Sequence, residues 1–200
     1  HSRSAEAVKQ AVRHGVDIIG HANYLDDEAI AMLEAERHRI FVGPGIAWEI
    51  ALLDQGAKLG LPREEMQQRG YQREVDETIA SVKRLRESKV RVLIGGDYGL
   101  NITPHGTNAK DLEYFVDLFG MTDTEALLCA TRDGGAAANT DGMVGTLEEG
   151  KFADLVIIDG DPTLDVRILQ DHEKIVGVMK DGVMHCGLMQ SNPYVPPQAS

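Results

Sequence analysis

The sequence predicts an α/β fold built on parallel strands, and three observations carry that prediction. Helical stretches alternate with short apolar runs through the first half of the chain. Those runs, VDIIG (16–20), RIFVG (39–43) and VRVLIGG (90–96), are continuous rather than alternating, the mark of strands buried on both faces. Beyond Gly142 the pattern changes to short strands and tight turns. Strand–helix–strand repetition implies right-handed crossovers between parallel strands. A doubly wound sheet and a (β/α)8 barrel both satisfy this pattern.

The elements follow in order. Residues 5–14 place Ala7, Val8, Ala11 and Val12 on one helical face behind Ser4, a suitable N-cap, and Gly15 ends the helix. His14 at that end is expected to act as a C-terminal cap contact. A helix over 26–36 opens with Asp26 and Asp27 and buries Ile30 and Leu33. Pro44 and Gly45 close the second apolar strand before a helix over 46–55. The charged segment 63–89 suits one long solvated outer helix. After the third strand come helices over 108–119 and 123–132, with Cys129 on an apolar face, and then an Ala/Gly stretch. ADLVIID (153–159) and KIVGVMKDGVMH (174–185) predict three more strands, the last two joined by the hairpin signal Asp181-Gly182. The chain thus divides into an α/β part over 1–141, a small β module over 142–187 and a Pro-rich tail over 188–200 expected to be disordered.

Composition removes several function classes. The 200 residues carry a formal charge of −12 without a Lys/Arg cluster, which disfavours nucleic acid and anionic membranes as partners. The acidity is uneven, with thirteen Asp/Glu against two Lys/Arg over residues 111–165, scattered as on an outer surface rather than gathered into a cage. No apolar run reaches membrane-spanning length, and no secretion signal opens the chain. Two cysteines, Cys129 and Cys186, make no disulfide framework, so a cytoplasmic setting is expected.

Chemistry concentrates at strand ends. His21 follows VDIIG, Asp97 follows VRVLIGG, and His1 stands before the first helix, where a preceding strand would end. In a parallel α/β fold these positions open on the face where ligands bind. Imidazole nitrogens and a carboxylate suit Zn²⁺ or another borderline divalent cation. Taken singly, His21 and Asp97 are equally explained as strand-end caps, which leaves a non-catalytic ligand-binding α/β domain as the alternative. No G-x-G-x-x-G or Walker-type loop supports a nucleotide for such a domain. The two readings differ in geometry. A metal requires the His1, His21 and Asp97 side chains to converge within roughly 4–6 Å of one point.

Four segments together resemble the amidohydrolase superfamily, in its imidazolonepropionase/Xaa-Pro dipeptidase-like branch. HSRSAEAVKQAVRHGVDIIGHA is similar to the family's stretch from the histidine ending barrel strand five to that ending strand six, and LIGGDYG to the end of strand eight with its aspartate. MTDTEALLCATRDGGAA resembles the helix after the barrel, and GTLEEGKFADLVIIDGDP the return strand of the family's composite β-sandwich. The resemblance implies His1 and His21 as metal ligands, with Asp97 as metal ligand and as general base and then acid. It implies one or two divalent ions, zinc foremost, and a metal-bound hydroxide attacking an amide, peptide-like or cyclic C–N bond of a small-molecule substrate. His105, Arg3, Tyr24 and Tyr98 would contact that substrate. Deamination belongs to the same superfamily and is a second expectation for the reaction.

The family's His-x-His pair and strand-four lysine have no counterpart here, and only barrel strands six to eight are expected. The expectation is therefore the C-terminal portion of a (β/α)8 metal-dependent hydrolase with part of its β-sandwich. The N-terminal half of the polypeptide would be the chief partner, homo-oligomerisation would be open, and this piece alone would be inactive.

Overall fold

A computed structural model of the chain describes residues 1–138 and 142–187. Four short strands form one parallel sheet in the order of the sequence: β1 (Ser2–Ser4), β2 (Ile18–Tyr24), β3 (Phe41–Gly43) and β4 (Arg91–Val92). A doubly wound sheet reverses its strand order at a switch point. This sheet never reverses, and unbroken sequential order is what a barrel segment requires. Helices α1 (Ala5–Arg13), α2 (Asp27–Ala35), α3 (Ile46–Gln55), α4 (Arg63–Gln68) and α5 (Tyr71–Glu87) lie in the crossovers. Val8, Ile19, Leu33, Ile40, Val42, Ile46, Val82 and Leu85 fill the core between helices and sheet. Ser4 caps α1 by accepting from the Ala7 amide, Asp26 caps α2 through Ala29, and His14 is the C-terminal cap of α1, all as the sequence indicates.

Four expectations need correcting. Segment 63–89 is two helices, because Gly70 adopts φ 89° between α4 and α5, and the second is far from wholly solvated: Glu74, Val75, Thr78, Ser81, Val82 and Leu85 are buried. The apolar run 90–96 yields a ladder of only two residues, extended by the Leu93 amide donating to the Val42 carbonyl at 2.8 Å. Gly95 lies beside Gly43 of β3, where a β-carbon would sit 3.6 Å from the Gly43 Cα, and Gly96 packs against Ala47 of α3 and Asp111. β2 does not stop before His21 but runs on to Tyr24, because a further strand, β1, pairs Ser2 with His21 and Ser4 with Tyr24. The parallel sheet accordingly has four strands, one more than expected.

Beyond the sheet, α6 (Lys110–Asp117) and α7 (Asp123–Leu128) pack together, and α7 starts in a capping box formed by Thr122 and Glu125. The helix expected over 123–132 continues beyond that range, passing through a π-helical turn, Cys129–Asp133, into α8 (Gly134–Ala137). The β module is a three-stranded antiparallel sheet of β5 (Leu155–Ile158), β6 (Ile175–Lys180) and β7 (Val183–Gly187). Asp181 and Gly182 both take positive φ, 48° and 75°, the two-residue hairpin geometry their sequence predicts. The Val166 amide donates to Asp123 Oδ1 at 2.8 Å and joins the module to the helical layer. The 141/142 boundary in part and the tail 188–200 lie outside the described residues. Among the described residues no helix is long and apolar enough to cross a membrane.

Candidate functional site

His1, just before β1, His21, within β2, and Asp97, in the segment that follows β4, come together on one side of the sheet. His1 Nδ1 and His21 Nε2 stand 2.8 Å apart with ring centroids 5.0 Å apart, and His21 Nε2 is 3.7 Å from Asp97 Oδ2. The backbone at this meeting point is constrained. His21 (φ 76°), Ala22 (φ 55°) and Asp97 (φ 54°) are non-glycine residues in the left-handed region, where an L side chain costs about 1–2 kcal/mol. Such conformations persist only where the surroundings impose them, and they gather at functional sites. Gly45 completes the wall: a β-carbon there would sit 2.8 Å from His21 Nδ1 and 3.5 Å from Asp97 Oδ2. His21 is buried, and desolvation lowers its pKa against the opposing pull of Asp97. The neutral imidazole is the form that can ligate.

The donor set, two imidazoles and one carboxylate on one face, matches a borderline divalent cation in type. In number and spacing it makes part of a site. Nitrogens bound tetrahedrally at 2.0–2.1 Å from zinc lie about 3.3 Å apart. At 2.8 Å the two imidazoles instead share a hydrogen bond. Among the described residues no group of three or more His, Cys, Asp or Glu side chains encloses a metal position. His21 Nδ1 is buried without a partner, so the outer hydrogen bond that fixes a ligating imidazole's tautomer is absent on this side.

The four residues expected to meet substrate are placed unevenly. Arg3 forms an ion pair with Glu74 on α5, and Arg73 lies over the Tyr24 ring at 5.9 Å, so both side chains are engaged on the α5 side. Burial raises the pKa of Tyr24. The Tyr98 hydroxyl donates to Asp111 Oδ1 at 3.2 Å, and its ring lines a cavity of about 550 Å³ between α3, α6 and the 101–109 loop. His105 is exposed on that loop and packs over Gly99, with Nε2 3.0 Å from where a β-carbon on Gly99 would lie.

Two buried carboxyls escape a reading of strand ends. Glu49 on α3 is fully enclosed and accepts from Asn23 Nδ2. The Thr78 hydroxyl lies 2.9 Å from Glu49 Oε2 and 2.8 Å from the Glu74 carbonyl, so its single proton serves one of the two while it accepts from Asn23 Nδ2 at 2.7 Å. Desolvation pushes the Glu49 carboxyl up to about 7 against those hydrogen bonds. Asp111 on α6 is equally enclosed and is also pushed up to about 7 by desolvation, while Tyr98 and the Gly95 and Gly96 amides stabilise its charged form. A helical signal for both exists in hindsight. Glu49 lies on the stripe Ile46–Leu53, and Asp111 is four residues before Phe115, so each is a charge on an apolar face.

Comparison with known proteins bears on this geometry. The sequence profile described as the Amidohydrolase family matches residues 2–184. An ochratoxinase of Aspergillus niger is 24% identical over 188 residues, covering 94% of this chain and 37% of that protein. Among solved structures, a Xaa-Pro dipeptidase with methionine bound in its active site superposes with a TM-score of 0.78 at 27% identity, over 94% of this chain and 44% of that one. A prolidase complexed with N-methylphosphonate-L-proline gives a TM-score of 0.78 at 26% identity, over 92% of this chain and 43% of that one. The chain therefore spans less than half the length of each.

Proposed function

Because the chain belongs to the amidohydrolase family, we propose that it carries one portion of the active site of a divalent-metal-dependent hydrolase of amide, peptide-like or cyclic C–N bonds. The observation that carries this reading is the meeting of the His1, His21 and Asp97 side chains on one side of the parallel sheet. Those three residues would hold the cation, zinc by the chemistry of the set, with further donors supplied by the part of the fold that the relatives have and this chain does not cover. When bound, a divalent cation polarises a carbonyl and lowers the pKa of a water from about 15.7 toward 7.

Asp97 does the proton work. Its carboxylate accepts a proton from the attacking water and returns it to the leaving nitrogen, general base and then general acid. His21, enclosed and braced by Gly45, fixes the position of its ring relative to Asp97. Tyr98, His105, Arg3 and Tyr24 are the chain's candidates for substrate contacts. Of these, Tyr98 and His105 stand on the loop that leaves Asp97, whereas Arg3 and Tyr24 reach substrate only by releasing partners on α5. A small-molecule substrate and a cytoplasmic setting complete the reading.

The test is turnover of N-acyl amino acids and Xaa-Pro dipeptides, with and without a chelator. The 200-residue chain by itself is expected to bind Zn²⁺ weakly and to show no appreciable hydrolysis. Chelator-sensitive turnover by that chain alone would overturn the partial-site reading.

A further inference from the structure

Resting on His21 as a metal ligand, we infer that Glu49 is the positioning residue for His21 and that it acts through Asn23. Both side chains are fully enclosed. A carboxyl among the buried apolar residues of α3, with Ile46 before it and Leu52 and Leu53 after it, costs stability relative to an apolar side chain. What it holds is the end of β2. Glu49 accepts from Asn23 Nδ2, which also donates to the Thr78 hydroxyl at 2.7 Å. The Ser81 hydroxyl donates to the Asn23 carbonyl at 2.7 Å, so α3 and α5 together fix the side chain and the backbone of one residue. Asn23 Oδ1 is buried without a partner, a further cost of placing an amide here.

The link reaches His21 by two routes. Along β2, Asn23 directly follows His21 and Ala22, which take φ 76° and 55°, a region where a non-glycine residue stays only if its surroundings hold it. Anchoring Asn23 fixes the far end of that turn. Along α3, Glu49 lies about one helical turn beyond Gly45, and its amide donates to the Gly45 carbonyl at 3.3 Å. Gly45 is the residue against the imidazole, since a β-carbon on it would sit 2.8 Å from His21 Nδ1. The start of α3 therefore meets β2 at two points one turn apart, Gly45 at the His21 ring and Glu49 at Asn23. Seating Glu49 on Asn23 sets the wall against which the ring lies, and with it the 3.7 Å approach of Nε2 to Asp97 Oδ2.

The intact protein tests this with Glu49→Leu, Glu49→Gln, Asn23→Ala and His21→Ala. Two quantities are read: Co²⁺ affinity from the visible absorption, and the imidazole proton shifts of His21 in the metal-free protein, which feel the His1 ring 5.0 Å away. Glu49→Leu is expected to weaken Co²⁺ binding about tenfold, the low end for loss of a group that orients a ligand, and to move the His21 shifts while those of His105 stay. Glutamine keeps an oxygen for Asn23 Nδ2, so Glu49→Gln restores both readings to near wild type. A merely structural role would lower the unfolding midpoint of Glu49→Leu and leave both readings of the folded protein unchanged, and that result overturns the assignment. Glu49→Gln as impaired as Glu49→Leu also overturns it, because the bond to Asn23 would then not be what positions the ring. Should Glu49→Leu not fold, Asn23→Ala cuts the same link from its other end, and wild-type shifts and affinity there overturn the assignment. Wild-type Co²⁺ affinity in His21→Ala would overturn the metal reading instead, and the His21 shifts of the Glu49 variants would still decide the role of Glu49.

Discussion

At the scale of single residues, this chain places its titratable groups in two different ways. His21, within β2, and Asp97, in the segment after β4, meet on one side of the parallel sheet, and each follows an apolar run that singles it out in the sequence. Glu49 and Asp111 stand on helices with their carboxyls turned into the interior. Glu49 has a consequence for stability. Its folded pKa near 7 lies above the usual 4.5, so the folded state holds its proton more tightly than the unfolded one. Stability falls as pH rises from about 4.5 to 7, by on the order of 3 kcal/mol if the whole shift is realised. Glu49→Gln mimics the protonated form: its oxygen accepts from Asn23 and its amide donates to Thr78. Urea midpoints at pH 5 and pH 8 are expected to show the variant close to wild type at the lower pH and more stable at the higher. A parallel loss at both would refute the assignment.

At the scale of elements, the sequence signals that held were local chemistry. Ser4 and Asp26 each satisfy an orphan amide at a helix start, and Asp181-Gly182 supplies the positive φ its hairpin needs, while the Thr122–Glu125 box is a cap that the structure adds. Thr122→Ala is expected to cost about 1 kcal/mol, seen as a lower unfolding midpoint, with Glu125→Ala costing less than that when Thr122 is already replaced. Additive costs would mean that the box is not a reciprocal unit. The signals that failed depended on what lies alongside. Residues 90–96 have the composition of a long strand, yet ladder pairing stops after Val92 and Leu93, and Gly96 packs against Ala47 of α3 and Asp111 of α6. Residues 63–89 have the charge of a solvated helix, yet Asn23 and Leu25 of the β2 end need Thr78 and Ser81 as hydrogen-bond partners.

At the scale of the whole molecule, four parallel strands in sequence order and a three-stranded antiparallel module form the described structure. A cation held by His1, His21 and Asp97 would bind the folded chain alone, since only folding brings the first and ninety-seventh residues together. Zn²⁺ is therefore expected to raise the melting temperature, with stabilisation of about 2.7 kcal/mol at a hundredfold excess over Kd. A chelator should reverse the shift and His21→Ala abolish it. A shift that survives in His21→Ala would place the cation elsewhere.

Sequence by itself determined the fold class, the starts of α1 and α2 and the hairpin, because each depends on neighbours within a few positions or on strand polarity, and it singled out His21 and Asp97 as candidates by the apolar runs before them. Even the family could be approached from LIGGDYG and GTLEEGKFADLVIIDGDP, segments whose residues carry their meaning in order. Tertiary structure alone decided the rest. It set the pairing of Ser2 with His21, the left-handed turns at His21, Ala22 and Asp97, and the enclosure of Glu49 and Asp111. Those features arise from contacts between residues far apart in the chain, where the energy of burial and of satisfied amides outweighs what each residue prefers locally.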